Sequence, residues 1–179
     1  MSDTSPDLLG DQRRELLELY DTSMPEVYGY LVVRCRSSVL AEDLTSETFL
    51  AAADAVERRT VPQLTVAWLI GVARHKLVDH WHRLAREERL LAAVEAEPTD
   101  EPDQWDVQLD VLTAHRVLDD LGAHHRSALT LRYLDELPVR QVAECLERTE
   151  HATEALLVRA RRAFREAYER ADRPRTEER

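Results

Sequence analysis

The side chains of this chain best placed for chemistry are seven histidines and 24 lysines and arginines, several of them grouped at helical spacing. Metal binding is the first possibility. His75 and Asp79 stand four residues apart, with His80 and His82 close behind, so a helix here could present nitrogen and carboxylate ligands. A helical wheel separates them: His80 falls on a different face from His75 and His82. No cysteine or carboxylate spacing elsewhere completes a ligand set, so neither a metal nor any other cofactor is expected. The pair His124-His125 is expected in a solvated turn between helices. The sequence holds no glycine-rich phosphate loop, no GxSxG elbow and no nucleophile with a local partner. A catalyst is therefore not expected.

What remains is charge arranged on helix faces. At 100° per residue, His75, Asp79, His82, Arg83 and Arg86 share an arc of about 100°, a mostly basic stripe over three turns. Near the C-terminus, Leu156, Leu157, Ala160, Ala163, Phe164, Ala167 and Tyr168 fall in one half of a helix. Glu154, Arg161, Arg162, Arg165 and Glu169 fall in the other, with Arg159 on the shoulder. Each stripe can be a nucleic-acid contact or a solvated face. A net charge of −11 alone argues against nucleic acid, but the charge is blocked. Residues 67–91 carry five basic and three acidic groups, residues 92–131 two and nine, and residues 132–179 eleven of each. A local field, rather than the total, governs a DNA contact.

The elements that must position these faces are helices. Four glycines and 6% aromatics, in a chain 44% hydrophobic and 33% charged, predict an all-α fold. The organisation expected is two small helical domains joined by a flexible acidic linker, the second a helix-turn-helix. Residues 1–10 are expected to be disordered, and 11–91 to form the first domain. Within it a helix starts at Asp11 and stops at Ser23-Met24-Pro25, where Pro25 opens a second helix running toward Ser37. Ser38 is the expected N-cap of a third, with Leu40, Leu44, Phe49, Ala52 and Val56 on its inner side. A loop around Pro62 follows, and Thr65 can cap the long helix bearing the basic stripe.

Residues 92–110, with seven acids, two prolines and no base, read as the linker. It is either a solvated spacer or a negative tether competing with DNA for the basic helices. Residues 111–171 form the second domain, with apolar positions at Val111, Leu112, Val117, Leu118 and Leu121, and residues 172–179 a tail. Pro138 begins a helix of about nine residues whose Val139, Val142, Ala143 and Leu146 face a core. A tight connection over 147–150 and a long final helix complete the helix-turn-helix. Cys35 and Cys145 read as free thiols. The longest uncharged run, Thr60 to Ala73, has 14 residues, short of a membrane span. The N-terminus lacks a basic leader and an apolar core, so a cytoplasmic protein without membrane contact is expected.

The stretches AEDLTSETFLAAADAV, AWLIGVARHKLVDHWHRLARE, LRYLDELPVRQVAECL and ATEALLVRARRAFRE, in this order, resemble a bacterial RNA polymerase sigma factor of the extracytoplasmic-function group, in the sigma-70 family. The resemblance covers about residues 12–170. It implies a factor that binds core RNA polymerase, through the β′ coiled coil and the β flap, and directs initiation at selected promoter DNA, with an anti-sigma partner. In that reading Asp43, Glu47 and Phe49 match the polymerase-docking motif, with Ser46 where glutamine is usual. Arg74, His75, Lys76, Asp79, Arg83 and Arg86 match the segment that melts and reads the minus-ten element, His75 replacing a frequent asparagine. The minus-thirty-five reader would use Arg148, Thr149, His151, Thr153 and Glu154, with Arg159, Arg161 and Arg162 on phosphates. This part departs most from the family: Glu147 stands where a turn glycine is usual, and Glu154, Ala155 and Leu156 replace Lys, Ser and Arg. Two rivals remain: a helix-turn-helix regulator that binds DNA without polymerase, and a helical interaction protein that does not bind DNA.

Overall fold

The computed structural model describes residues 8–61, 63–91 and 110–172. Among them every regular element is helical: α1 (Leu8–Cys35), α2 (Ser38–Glu57), α3 (Val66–Leu91), α4 (Val111–Asp120), α5 (Ala123–Leu129), α6 (Val139–Cys145) and α7 (Glu150–Asp172). A π-helical segment, Thr130–Leu134, follows α5 directly. The all-α expectation is met. The expectations for residues 1–7, 92–109 and 173–179 lie outside the described residues. By contacts the chain divides into two compact units, residues 1–79 and 80–179, with the division inside α3 rather than after residue 91.

In the first unit α1 is one helix of 28 residues, not two, and it begins at Leu8, inside the stretch expected to be disordered. Pro25 sits in its interior, where a proline removes a hydrogen bond and costs about 3 kcal/mol. Val27 and Leu31, just beyond it, are wholly buried. Burial of two such side chains contributes roughly 3–6 kcal/mol, enough to hold the helix together through the proline. The Thr22 and Ser23 hydroxyls donate to the Leu19 carbonyl at 3.0 and 2.7 Å.

α1 packs on α2, whose cap is Ser37 rather than Ser38: the Ser37 hydroxyl accepts from the Leu40 N–H at 3.2 Å. Ala41, Leu44, Thr48, Ala52 and Val56 form the buried stripe of α2. Its buried threonines stay satisfied because Thr45 and Thr48 donate to the Ala41 and Leu44 carbonyls. Val56, Val61 and Leu64 form a cluster with Leu16, Leu19, Ala55 and Trp68 against it. Thr65 caps α3 as expected, accepting from the Trp68 N–H at 3.1 Å.

In the second unit, Asp110 is a cap rather than linker. Its carboxylate accepts from the Thr113 N–H at 2.8 Å, and its own N–H donates to the Tyr168 hydroxyl at 2.8 Å. α4 and α5 pack on α7 around Val117, Leu121, Leu129, Ala160, Phe164 and Tyr168. Of the apolar positions that open this domain, Val111 and Leu112 are 66% and 63% exposed, because the inner face of α4 starts with Ala114 and Val117. The Arg126 guanidinium donates to the carbonyls of Leu118, Asp119 and Leu121, satisfying acceptors where α4 ends. His124 and His125 lie in α5, not in a turn, because Gly122 already serves as its N-cap.

α6 follows Pro138 as expected, with Val142, Ala143 and Leu146 buried and Val139 half-buried. The helix ends in a Schellman arrangement: Arg148 N–H donates to the Ala143 carbonyl at 2.9 Å and Glu147 N–H to Glu144 at 3.3 Å. Glu147 holds the left-handed position with φ 52°. Thr149 then caps α7, its hydroxyl accepting from the Ala152 N–H at 3.2 Å.

Candidate functional site

On α2, burial of the opposite stripe leaves Glu42, Asp43, Ser46 and Glu47 exposed in one acidic patch. Phe49 is half-buried and its ring meets Tyr20 edge-on, with centroids 4.7 Å apart, so part of it is held by α1. Glu47 faces a cation from α3: Lys76 Nζ lies 3.9 Å from its carboxylate. Of the six α3 residues matched to the minus-ten segment, His75, Asp79, Arg83 and Arg86 are exposed. Arg74 and Lys76 are half-buried and flank the stripe by about 100° on either side, so Lys76 turns toward α2 while the stripe turns elsewhere.

At the start of α7 the eight residues matched to the minus-thirty-five reader do not form one surface. His151 and Glu154 are exposed, and Thr149 is exposed but holds the cap. Thr153 is a correction: its side chain is 0% exposed and its hydroxyl donates to the Thr149 carbonyl at 3.0 Å, so it is packed away from any groove. Position 153 falls on the apolar half of α7, one turn before Leu156 and Leu157, and its hydroxyl is satisfied within the helix. The three arginines expected on phosphates also diverge. Arg162 pairs with Glu166 at 3.0 Å. Arg161 donates to the Tyr133 hydroxyl at 3.2 Å. Arg159 instead lines a pocket with Arg148.

The structure also gathers three side chains whose neighbours the sequence did not reveal. Tyr133, 49% exposed on the π-helical segment, is flanked by Arg132 and Arg161. No periodic signal marks it, because a π-turn shifts every following residue off the α-helical wheel. His124 and His125 join Arg148 and Arg159 across a fold-back of more than twenty residues. The Asp110 carboxyl lies below the usual aspartate range because Thr113 donates to it. Among the described residues no group of three or more histidine, cysteine or acidic side chains gathers as a metal site. No helix among them is long and apolar enough to cross a membrane.

Residues 19–87 match the family model of sigma-70 region 2, a span holding both the acidic patch of α2 and the stripe of α3. The ECF RNA polymerase sigma factor SigM of Bacillus subtilis is 28% identical over 157 residues, covering 86% of this chain and 94% of SigM. BldN of Streptomyces coelicolor, also an ECF sigma factor, is 34% identical over 155 residues; the chain aligns with 57% of its length. The fold is that of the sigma factor RpoE solved with the anti-sigma factor NepR from Bartonella quintana. The match has a TM-score of 0.52 at 21% identity and covers 91% of this chain and 99% of that one. Helical architecture, region 2 and near full-length similarity to SigM agree: the chain belongs to the extracytoplasmic-function group of the sigma-70 family.

Proposed function

We propose that this chain brings core RNA polymerase to selected promoters in the cytoplasm and helps open them, without catalysis of its own. In this reading residues 11–91 dock on polymerase and engage the minus-ten element, residues 92–109 connect the two domains, and residues 110–171 read the minus-thirty-five element. Asp43, Glu47 and part of Phe49 meet the β′ coiled coil, and the second domain meets the β flap. His75, Asp79, Arg83 and Arg86 track the opened strand, where a cationic groove must follow phosphates. His151 and Glu154 supply base readout, and a Glu carboxylate at this position suits a cytosine amino group.

The observation that carries the proposal is that the region-2 match at 19–87 contains both faces, and that both are solvent-exposed rather than spent on the core. RpoE was solved in complex with an anti-sigma factor, and we extend such a partner to this chain: a protein that covers these faces would keep it inactive. Run-off transcription with purified core polymerase over a promoter library is the test. Polymerase-dependent start sites are expected. Specific duplex binding without polymerase, and no start site with it, would replace the proposal with a free-standing regulator.

A further inference from the structure

An ion pair joins α3 to the acidic patch of α2 inside the first unit. Lys76 is matched with the minus-ten segment, yet its Nζ lies 3.9 Å from the Glu47 carboxylate. Both residues belong to the unit 1–79, and their side chains are 31% and 47% exposed, so a partner arriving from solvent still reaches them. Glu47 lies on an outward face of α2 whose composition defines what can rest there. Val39 and Leu50, 67% and 71% exposed, stand about three turns apart and within about 20° of each other on a helical wheel, with Ser46 between them. Asp43 and Glu47 border this apolar seam on one side and Glu42 on the other, and all three acids are exposed. Seam and borders complement an amphipathic helix that carries basic residues beside its apolar stripe. At Glu47 the same face also meets a cation of its own chain. A fixed ammonium group there offsets the acidic potential and repels an arriving cation, so it lowers the affinity that the acids supply. For an ion pair this exposed the effect is roughly two- to five-fold.

We infer that Lys76 works in the polymerase-docking face, where it limits affinity by holding Glu47. The occupant is a helix of core polymerase with basic flanks, which must share Glu47 with Lys76 or displace it. The inference rests on the proposed docking role of α2 and adds the residue that tunes it. Lys76 thereby leaves the DNA-tracking group: an ammonium group held at a carboxylate gives up one anion to meet a phosphate, and little affinity results.

The test is a titration of the full chain, labelled at its N-terminus, with purified core polymerase, read by fluorescence anisotropy. Lys76→Gln is expected to tighten binding roughly two- to five-fold. Lys76→Arg, which keeps the cation, returns the wild-type affinity. Glu47→Gln weakens binding, and in that background the gain from Lys76→Gln falls by at least half, the mark of two coupled residues. Unchanged circular dichroism and melting establish that each variant is folded. Binding that is unchanged or weakened in Lys76→Gln, or an equal gain with and without the Glu47 carboxylate, would overturn the inference. Asp43→Asn, one turn earlier on the same face, separates the two readings. If Asp43→Asn and Glu47→Gln weaken binding while Lys76→Gln does not tighten it, the docking face stands and the role of Lys76 falls. If neither acid matters, the docking reading falls and the inference with it.

Discussion

Glu147 occupies the left-handed position at the end of α6, where glycine is free of strain and an L-residue is not. Its φ of 52° is fixed by the paired Schellman hydrogen bonds from Arg148 to Ala143 and from Glu147 to Glu144. A Cβ in that conformation costs roughly 1–2 kcal/mol. Glycine removes this cost but adds about 0.4–1 kcal/mol of unfolded-state entropy. The net expectation for Glu147→Gly is a gain of roughly 0.5–1 kcal/mol, or about 2–8 °C in the melting of a domain of this size. Glu147→Ala keeps the strained Cβ and should be neutral within about 0.3 kcal/mol, which also controls for the lost charge. Glu147→Val, β-branched, should be less stable than wild type. Calorimetry of the three variants, with amide exchange at Arg148 to assign the transition, is the assay. A stabilised alanine variant together with an unchanged glycine variant would refute the strain argument. The remedy would then be charge removal, not backbone relief.

Tyr168→Phe should cost about 0.5–1.5 kcal/mol and speed amide exchange at Asp110, whose N–H loses its acceptor at 2.8 Å; unchanged exchange would mean that the bond contributes nothing. The Asp110 carboxyl is held below its ordinary value mainly by the Thr113 hydrogen bond, so its contribution is present above the unfolded-state pKa and is lost as pH falls through the lowered folded value. The Thr113 amide shift should therefore titrate with a midpoint below that of a free aspartate, and Asp110→Asn should abolish the titration. The Lys76–Glu47 pair is long, at 3.9 Å, and both side chains are partly exposed. Glu47→Gln should thus change stability by less than about 1 kcal/mol while weakening polymerase binding in a pull-down with core enzyme, and a loss above about 2 kcal/mol would make the residue structural.

Helix identity and inner faces were readable from spacing, because burial follows the helical period regardless of where the helices go. Thr65, Pro138 and the buried half of α7 follow from local chemistry alone. The misses share a cause. Pro25 reads as a break when judged on backbone chemistry, yet Val27 and Leu31 bury enough surface to override it. The α2 cap slipped by one residue because adjacent serines offer the same hydroxyl, and only the left-handed Arg36 before them selects Ser37. Thr153 enters the expected reader because the resemblance places the start of α7 in the reading helix; a wheel anchored on Leu156 and Leu157 places it inside. The convergence of His124, His125 and Arg159 depends on the packing of α5 against α7, and no local pattern encodes it.

The arginines of the C-terminal segment overstate its cationic reach, and this bears on how strongly it can hold DNA. Residues 132–179 carry eleven arginines against eleven acids. Arg140 and Arg162 are paired with Glu144 and Glu166 one turn along the same helix, at 3.2 and 3.0 Å. Arg161 is tied to Tyr133. A guanidinium that must leave a carboxylate to meet a phosphate exchanges one anion for another, so it adds little affinity. If Arg148 and Arg159 alone meet phosphates, this segment contributes a slope of about −1.8 to log K against log salt; five arginines at 148, 159, 161, 162 and 165 would contribute about −4.5. Measured with holoenzyme on a fixed promoter, Arg159→Gln should make the slope shallower by about 0.9, and Arg162→Gln should leave it unchanged. An equal loss for both would mean that Glu166 releases Arg162 on binding, and that the ion pairs along α7 are no guide to which arginines hold DNA.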